Sequence, residues 1–377
     1  MTILFLLFLL VLVQAYVGYP LSLMVLRLVL GDRSRHRLGD RTPSVSLLIS
    51  AYNEEAVIRR KLENTLALDY PADRLDRIVI SDGSTDRTEP IAREFGHRGI
   101  QLRAFKGRRG KVSCLNEVIP TLKSDVVVMS DANSIYSTDA LKRLVRHFAD
   151  PRIGCVCGRL TYVNPTRQIA GDGERLYWSY EGAVKKLESA LGQLLGANGA
   201  MYAFRSERFE PVDPLMFCDD VIPVRITLAG YLTIYDPEAC CTEEAVSEGA
   251  ETRRRRRHAS FGMRSMLRLT REALAAGRPL VAYQCVSHRI LRWLGGPALL
   301  GMMTITPWLP PPWREAALAG QGTLYLAAGI GFIASRLRAG PSWLYLPYYF
   351  LVITVAGVAG LVALARRTDR PYWEPRL

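Results

Sequence analysis

The chain has 377 residues, 49% of them hydrophobic, and a formal net charge of +13. This length allows one large domain with appendages, or two domains. Seven cysteines without a CxxC pair argue against a disulfide framework and favour reduced, buried thiols. The basic residues crowd the flanks of apolar segments and do not interleave with aromatic residues, which argues against a nucleic-acid-binding protein.

The first segment of the chain is apolar. Residues 1–30 carry one charged side chain, Arg27, and are long enough to cross a bilayer of about 30 Å. A cleaved signal peptide is the alternative, because "VQA" resembles a cleavage site, but no basic residues precede the apolar run. The arginine-rich stretch "GDRSRHRLGDR" follows directly, and short basic flanks mark the cytoplasmic side of a membrane. We therefore predict an uncleaved N-terminal anchor over residues 1–31 and a cytoplasmic middle region.

The middle region, residues 44–245, alternates short apolar runs with amphipathic stretches. Four pairs follow one another: "SVSLLIS" and "EEAVIRRKLENTLAL", "DRIVISDG" and "TDRTEPIAREF", "IQLRAF" and "GKVSCLNEVIPTL", "DVVVMSD" and "STDALKRLVRHF". Strands that alternate with helices are typical of βαβ units, and strands without polar alternation are buried on both faces. The pattern predicts an α/β domain with a parallel sheet.

Polar, oxygen-rich residues follow the predicted strands, which is where ligands bind in such sheets. The motifs are "AYNEE" (51–55), "SDGSTD" (81–86), "KGRRGKVSCLN" (106–116) and "SDANS" (130–134). Single motifs have plain structural explanations: "SDGSTD" alone suits a turn and a helix N-cap, and "GRRGK" alone suits a solvated basic loop without the P-loop spacing. Four such motifs at one edge of a sheet favour a nucleotide and cation site instead.

In their order and spacing, these motifs resemble the inverting, membrane-associated glycosyltransferases of family 2. The resemblance covers about residues 44–262. It implies a Rossmann-like GT-A catalytic domain of the nucleotide-diphospho-sugar transferase type, together with α-helical transmembrane segments. It also implies that Tyr52, Glu54 and Asp82 bind the nucleotide of a UDP-sugar, and that Lys111 lies near its phosphates.

The stretch "DVVVMSDANSIY" ends a buried run with Asp131 and Asn133 at alternate positions. A turn would explain them, but the resemblance places this pair at the DxD motif, which holds a divalent cation and the nucleotide-sugar. Asparagine replaces the second aspartate and removes one negative charge, although an amide oxygen still suits the hard cations Mg²⁺ and Mn²⁺. We therefore predict a metal and nucleotide site at Asp131 and Asn133.

The acceptor side of the predicted site falls in two later segments. In "LMFCDDVIPVRITLAGY", Asp219 and Asp220 precede a helical pattern; an acidic helix start explains them, but inverting transfer also needs a carboxylate base. By the resemblance, Asp220 is the base and Asp219 supports it and the acceptor. In "LGANGAMYAFR", the small residues Gly199 and Ala200 would let the acceptor sugar approach closely, with a tight turn as the alternative.

The next segment, residues 246–289, is strongly basic. Consecutive arginines in "ETRRRRRHASFGM" suit a solvated face, a nucleic-acid patch or a contact with anionic lipid. The QxxRW motif of processive family members falls here, but its Gln and Trp are absent, which argues against processive polymer synthesis. Arg257 would still neutralise the leaving diphosphate, and the rest of the segment suits an interfacial helix.

The C-terminal region, residues 290–366, is apolar again and precedes a short tail, residues 367–377. Its pattern predicts spans at about 290–310, 315–334 and 343–364. Three spans after a cytoplasmic domain would place the basic tail outside, contrary to the positive-inside rule. One of the three would then be re-entrant or interfacial.

These features favour an enzyme of polysaccharide or glycolipid biosynthesis at the inner (plasma) membrane, with several spans and a cytoplasmic catalytic domain. It would transfer a sugar from a UDP-sugar, with inversion and a divalent cation, to a lipid-linked or growing oligosaccharide or polysaccharide acceptor. Membrane lipid is an expected partner and nucleic acid is not. The alternative is a catalytically degenerate glycosyltransferase that acts as a binding or assembly partner, because Asn133 and the missing QxxRW motif depart from the family pattern.

Overall fold

The computed structural model describes residues 1–36, 38–39, 42–163, 169–244, 248–337 and 340–366. For residues 169–178, 248–258, 342 and 363 it describes the backbone alone. The described residues form two compact units. The sheet unit contains those of 26–163 and 185–244, and the helical unit contains those of 1–25, 169–184 and 248–366.

An eight-stranded sheet is the core of the sheet unit. The strands are β1 (Val45–Ala51), β2 (Leu75–Ser81), β3 (Ile100–Ala104), β4 (Val126–Asp131), β5 (Ile135–Tyr136), β6 (Ile153–Val163), β7 (Tyr202–Arg205) and β8 (Leu232–Glu244). Their order is β3-β2-β1-β4-β7-β6-β8-β5. The first four in this order are parallel, which confirms the prediction for that half. In the other half β7 pairs antiparallel with β4 and β6, β5 pairs antiparallel with β8, and β6 and β8 are parallel.

Helices follow the first four strands where the sequence predicts them. In chain order the α-helices are α1 (Thr2–Val13), α2 (Tyr19–Leu30), α3 (Ile58–Leu66), α4 (Thr88–Glu94), α5 (Lys111–Val118), α6 (Ala140–Val145), α7 (Ile169–Ala190), α8 (Cys218–Leu228), α9 (Glu248–Ala275), α10 (Pro279–Gln284), α11 (Leu291–Ile305), α12 (Trp313–Leu337) and α13 (Tyr345–Ala365). A π-helical turn joins α1 to α2. α3 to α6 alternate with β1 to β4 as βαβ units require.

The apolar runs of the sequence become the core of the sheet unit. β1 and β4 are buried along almost their whole length. Leu47 of β1 and Val128 of β4 belong to one buried cluster with Ile58 and Leu62 of α3. Because neither strand has an exposed face, their side chains reach solvent only at the strand ends. The carboxyl ends of the parallel strands therefore position the candidate site.

The seven cysteines are free thiols, and six of them are buried. Cys155 and Cys157 lie on β6 inside the core, where burial raises the pKa of both thiols. As predicted, the cysteines mostly act as small buried side chains.

Among the described residues, three helices are long and apolar enough to cross a membrane. They are Thr2–Leu30, Trp313–Leu337 and Tyr345–Val362. The span predicted at about 290–310 is not among these three helices. The helix in this region runs from α10 through a π-helical turn, Cys285–Ile290, into α11. Its Arg292 is buried and forms an ion pair with Glu181 of α7. A charged residue in a buried ion pair therefore lies inside the predicted span.

The unit boundaries differ from the predicted domain boundaries at α7. Residues of α7 up to Val184 belong to the helical unit, although they fall inside the predicted domain 44–245. The described side chains show the reason within that unit. The Tyr180 hydroxyl donates to the carbonyl oxygen of Tyr16 at 2.8 Å, next to the Glu181–Arg292 ion pair.

Candidate active site

One pocket lies at the carboxyl ends of β1, β2 and β4, and six of the predicted nucleotide-binding and metal-binding residues line it. Its walls come from those strand ends and from α5: Ser50, Ala51, Tyr52, Glu54, Ile80, Asp82, Lys111, Cys114, Asp131, Ala132 and Asn133. Because parallel strands end at the same edge of a sheet, the loops that follow them converge there. The pocket therefore has the place that the sequence predicts for a nucleotide.

The loop after β1 is tied to the loop after β2. Asn53 has a φ of 52°, which asparagine adopts more readily than most residues, and its Oδ1 accepts the N–H of Thr85 at 2.8 Å. The N–H of Glu54 donates to Thr88 Oγ1 at 2.8 Å. These bonds fix Tyr52 and Glu54 at one wall of the pocket.

Asp82 is buried beneath the basic loop that precedes α5. Its Oδ1 accepts the N–H of Arg109 at 2.7 Å, and its Oδ2 accepts the N–H of Gly110 at 2.9 Å. The Cys114 thiol donates to Oδ1 at 3.4 Å, and burial together with the charge of Asp82 raises the pKa of this thiol, so it stays protonated. Asp82 thus organises the loop, a role the sequence motif does not reveal. Its contact with the nucleotide stays a prediction.

The loops after β2 and β3 meet at two glycines. Gly83 has a φ of 70°, and a methyl group on it would lie 2.5 Å from the carbonyl carbon and oxygen of Gly107. Gly107 has a φ of 69°, but the space around its own methyl position is open. Both residues adopt the left-handed conformation, and only Gly83 is also confined by a neighbouring backbone.

Gly83→Ala is expected to destabilise the protein more than Gly107→Ala. Both variants carry the positive-φ cost of about 1 kcal/mol, whereas only alanine at position 83 must also displace backbone. Each further kcal/mol should lower the Tm by about 2–4 °C in a domain of this size. Thermal unfolding of the two purified variants measures the difference. Equal Tm values would show that the two loops can separate without cost.

Lys111, the first residue of α5, forms an ion pair with Asp131. Its Nζ lies 2.8 Å from Asp131 Oδ1, and the lysine side chain is 7% exposed. Burial lowers the pKa of Lys111, but the charges of Asp131 and Asp219 outweigh this, and the pKa lies well above its ordinary value. A permanent positive charge therefore lies in the pocket, as a phosphate neighbour requires.

Gly199 lies where the carboxylates of Asp131 and Asp219 converge. A methyl group on Gly199 would lie 2.6 Å from Asp219 Oδ2 and 3.3 Å from Asp131 Oδ2. Because glycine has no side chain, both carboxylates can lie this close to its backbone, and a larger residue would displace Asp219. Gly199 thus allows Asp131 and Asp219 to meet at the point where the acceptor was predicted.

Asp219 is the member of the acidic pair whose carboxylate lies beside Gly199 and Asp131. Both aspartates lie in the first turn of α8, whose N-cap is Phe217. Successive helical side chains point about 100° apart around the axis, so Asp220 takes another direction. The N–H of Ala197 donates to the Asp219 carbonyl oxygen at 2.8 Å, which fixes the start of α8. The assignment of Asp220 as base stays a prediction, and the geometry favours Asp219.

Two predicted site residues remain. Ala200 is 2% exposed, and its carbonyl oxygen accepts a hydrogen bond from the Tyr136 hydroxyl at 3.0 Å. It supports the loop from below and offers little surface to an acceptor. Arg257 falls in α9, at a position whose side chain lies outside the described residues. Its contact with the leaving diphosphate stays a prediction.

The sequence motifs do not reveal two buried ionisable residues behind the site, Lys61 of α3 and Glu243 of β8. Burial lowers the pKa of Lys61 to about 7, although nearby negative charges oppose this. The sequence pattern of α3 does indicate that Lys61 is buried. The buried face of α3 has the spacing i, i+3, i+4, i+7 and consists of Ile58, Lys61, Leu62 and Thr65. A lysine on an apolar stripe indicates a buried partner.

Asp131 and Asn133 fit a divalent cation of the predicted kind. A carboxylate and an amide supply hard oxygen ligands, and Asn133 Nδ2 is buried without a hydrogen-bond partner among the described residues. The amide is therefore not committed to another group. In the described part of the chain, no three His, Cys, Asp or Glu side chains form a complete metal site. These residues suit a cation whose other ligands come from a bound diphosphate.

Residues 46–210 match the family model described as Glycosyl transferase family 2. The chain is 35% identical over 155 residues to a beta-monoglucosyldiacylglycerol synthase from Synechocystis sp., covering 40% of this chain and 31% of the synthase. It is 27% identical over 215 residues to a poly-beta-1,6-N-acetyl-D-glucosamine synthase from Staphylococcus epidermidis, covering 55% and 51%. The chain thus spans about half or less of the length of these curated relatives.

The fold is similar to a solved structure, the mannosyltransferase PcManGT from Pyrobaculum calidifontis in complex with GDP-Man and Mn²⁺. The TM-score is 0.71 at 21% identity, and the match covers 97% of this chain and 100% of that one. This likeness confirms the predicted α/β, GT-A-type fold. The chain therefore has a GT-A-type fold, and its residues 46–210 are similar to glycosyl transferase family 2.

Proposed function

We propose that this chain is a membrane-associated glycosyltransferase that transfers a sugar from a UDP-sugar to a lipid-linked or growing glycan acceptor, with inversion and a divalent cation. The observation that carries the proposal is the convergence of Asp131, Asp219 and Lys111 beside Gly199, in a GT-A-type domain whose residues 46–210 match family 2. The names of the two curated relatives, a glycolipid synthase and a polysaccharide synthase, support an acceptor of this class.

Asp219 is the proposed general base. Its Oδ1 accepts the Cys218 thiol at 3.3 Å, and its Oδ2 lies beside Gly199, near the Asp131 carboxylate. An acceptor hydroxyl that donates to Asp219 would give its proton to this carboxylate while its oxygen attacks the anomeric carbon of the donor. The bond from that carbon to the diphosphate oxygen breaks on the opposite face, which inverts the configuration.

Lys111 and the candidate cation ligands would stabilise the leaving group, which is the nucleoside diphosphate. Negative charge develops on the nucleoside diphosphate as the glycosidic bond breaks, and the permanent charge of Lys111 stabilises it. Asp131 and Asn133 would hold Mg²⁺ or Mn²⁺, which when bound neutralises diphosphate charge. Asp131 also holds Lys111 in place through their ion pair.

The proposed location is the inner membrane, with several spans and the sheet unit on the cytoplasmic side. Three helices long and apolar enough to span a bilayer support this, as does the arginine-rich stretch after the first of them. A membrane-bound enzyme meets a lipid-linked acceptor directly.

A panel of nucleotide sugars tests the proposed function. The full chain, purified in detergent, is incubated with UDP-sugars and GDP-mannose, a membrane lipid extract, and Mn²⁺, Mg²⁺ or chelator. We expect cation-dependent release of UDP from one donor. Release of GDP from GDP-mannose alone would support a glycosyltransferase whose donor is a GDP-sugar instead of a UDP-sugar. Cation-dependent UDP binding without release from any donor would favour the catalytically degenerate partner, and neither binding nor release would contradict both.

A further inference from the structure

Ser134 is held from the protein interior by two buried ionisable side chains. Lys61 Nζ donates to its carbonyl oxygen at 2.5 Å, and its own Oγ donates to Glu243 Oε1 at 2.7 Å. Lys61 has no exposed surface, and Glu243 is 4% exposed. Lys61 belongs to α3 and Glu243 to β8, so two elements that are distant in sequence form hydrogen bonds with the same residue.

Ser134 closes the turn that carries the candidate cation ligands. Its N–H donates to the carbonyl oxygen of Asp131 at 3.3 Å, so Asp131 and Asn133 are the first and third residues of a four-residue turn. α3 also holds the residue after next, because Asn64 exchanges two hydrogen bonds, of 2.8 and 2.9 Å, with the backbone of Tyr136. The conformation of the turn therefore depends on what holds Ser134.

Packing alone does not account for the two ionisable residues. An apolar side chain at position 61 would complete the buried stripe of α3, and burying a charged or polar group costs free energy that an apolar group does not. Neither Lys61 nor Glu243 is among the described residues that line the pocket. Both form a hydrogen bond with Ser134, which is one residue beyond Asn133.

We propose that Lys61 and Glu243 are positioning residues that fix Asp131 and Asn133 in the geometry that binds cation and nucleotide. The inference rests on the proposed function, because it takes those two residues as ligands. Lys61 acts through a directed hydrogen bond and not through its charge, since a positive charge near the site would oppose cation binding. Replacing Lys61 should therefore weaken the binding of cation and nucleotide if the hydrogen bond matters, and strengthen it if only the charge matters.

Lys61→Met tests this directly, because methionine keeps the apolar stem and removes the donor. We expect the Kd for UDP in the presence of Mn²⁺ to rise about 10–100-fold, the usual effect of losing a residue that orients a ligand. Titration calorimetry on the full chain, well below the Tm of each variant, measures it. An effect of charge alone would make the variant bind more tightly.

Glu243 gives an independent test with a conservative variant. Glu243→Leu leaves Ser134 Oγ without its acceptor and should weaken UDP–Mn²⁺ binding. Glu243→Gln keeps an acceptor and removes the charge, so it should recover most of the loss. If Lys61→Met fails to fold, the comparison of Glu243→Leu with Glu243→Gln still tests the proposal. Equal weakening by Leu and Gln would overturn the positioning role of Glu243.

Arg77→Met is the matched control. Arg77 is a buried cation in the middle of β2 whose Nη1 donates to the Leu75 carbonyl oxygen at 3.3 Å. We expect it to lower the Tm without changing UDP–Mn²⁺ affinity. Parent-like affinity in Lys61→Met, or equal weakening in Arg77→Met, would overturn the inference and leave the proposed function intact. A parent protein that binds neither UDP nor GDP with Mn²⁺ would contradict both.

Discussion

Asp219→Asn is expected to lower kcat by about two to four orders of magnitude, the contribution of a positioned general base. The amide keeps the size of the side chain and can still accept the Cys218 thiol, but it cannot take a proton from the acceptor hydroxyl. Affinity for UDP with Mn²⁺ should change far less, because Lys111 retains Asp131 as its partner. Steady-state kinetics with the donor found in the panel measure both quantities.

Asp220→Asn is the matched control for this prediction. The two aspartates are adjacent in the first turn of α8, so both variants remove one negative charge at the same helix end. We expect the smaller loss of kcat at position 220, because the Asp219 carboxylate converges with Asp131 beside Gly199. Loss of transfer in Asp220→Asn with activity retained in Asp219→Asn would restore the assignment that the family resemblance implies.

Asp131→Asn and Asn133→Asp should shift the cation dependence in opposite directions. The first removes a carboxylate from the candidate ligand pair, and the second adds one, and the charge count of oxygen ligands governs affinity for hard cations. We expect the Mn²⁺ concentration for half-maximal UDP binding to rise about tenfold or more in Asp131→Asn and to fall in Asn133→Asp. Binding titrations over a range of Mn²⁺ concentrations measure the shift.

Thermal unfolding of both variants serves as the control for folding in this experiment. Asp131→Asn also weakens the ion pair with Lys111, so part of its effect could come from a disturbed pocket. Asn133→Asp has no such consequence among the described contacts, and its gain in affinity is the cleaner result. An unchanged Mn²⁺ dependence in both variants would contradict the assignment of these residues as cation ligands.

The parallel half of the sheet could be predicted from the sequence because its signals are local. β1 to β4 are short apolar runs with polar residues at their ends, and each is followed by an amphipathic stretch. The polar residues at those ends, among them Asp82 and Asp131, line one pocket because parallel strands share an edge. The antiparallel pairing of β7 could not be predicted, since strand pairing depends on tertiary contacts.

The orientation of individual side chains could not be predicted from the motifs. Whether Asp219 or Asp220 faces the site depends on where α8 begins, because one residue of shift turns a helical side chain by about 100°. The hydrogen bonds that hold Asp82 to the loop before α5 span 27 and 28 residues, and no local pattern indicates them. Lys61 is the exception, since its place on the apolar stripe of α3 was visible in the sequence.

The end of the chain shows the limit of hydropathy patterns. The segment near 290–310 is apolar enough to suggest a span, but its Arg292 is buried and pairs with Glu181. The partner lies 111 residues away, so only the folded helical unit reveals that this charge is satisfied. Long-range ion pairs of this kind are invisible to a sliding window.

The stereochemistry of transfer tests the central claim most directly. Once the panel identifies the donor, NMR of the product in the presence of lipid extract gives the anomeric configuration of the transferred sugar. If Asp219 activates an acceptor hydroxyl for a single displacement, the new bond has the configuration opposite to that of the donor, and Asp219→Asn forms almost none of it. A product that retains the donor configuration would contradict the account.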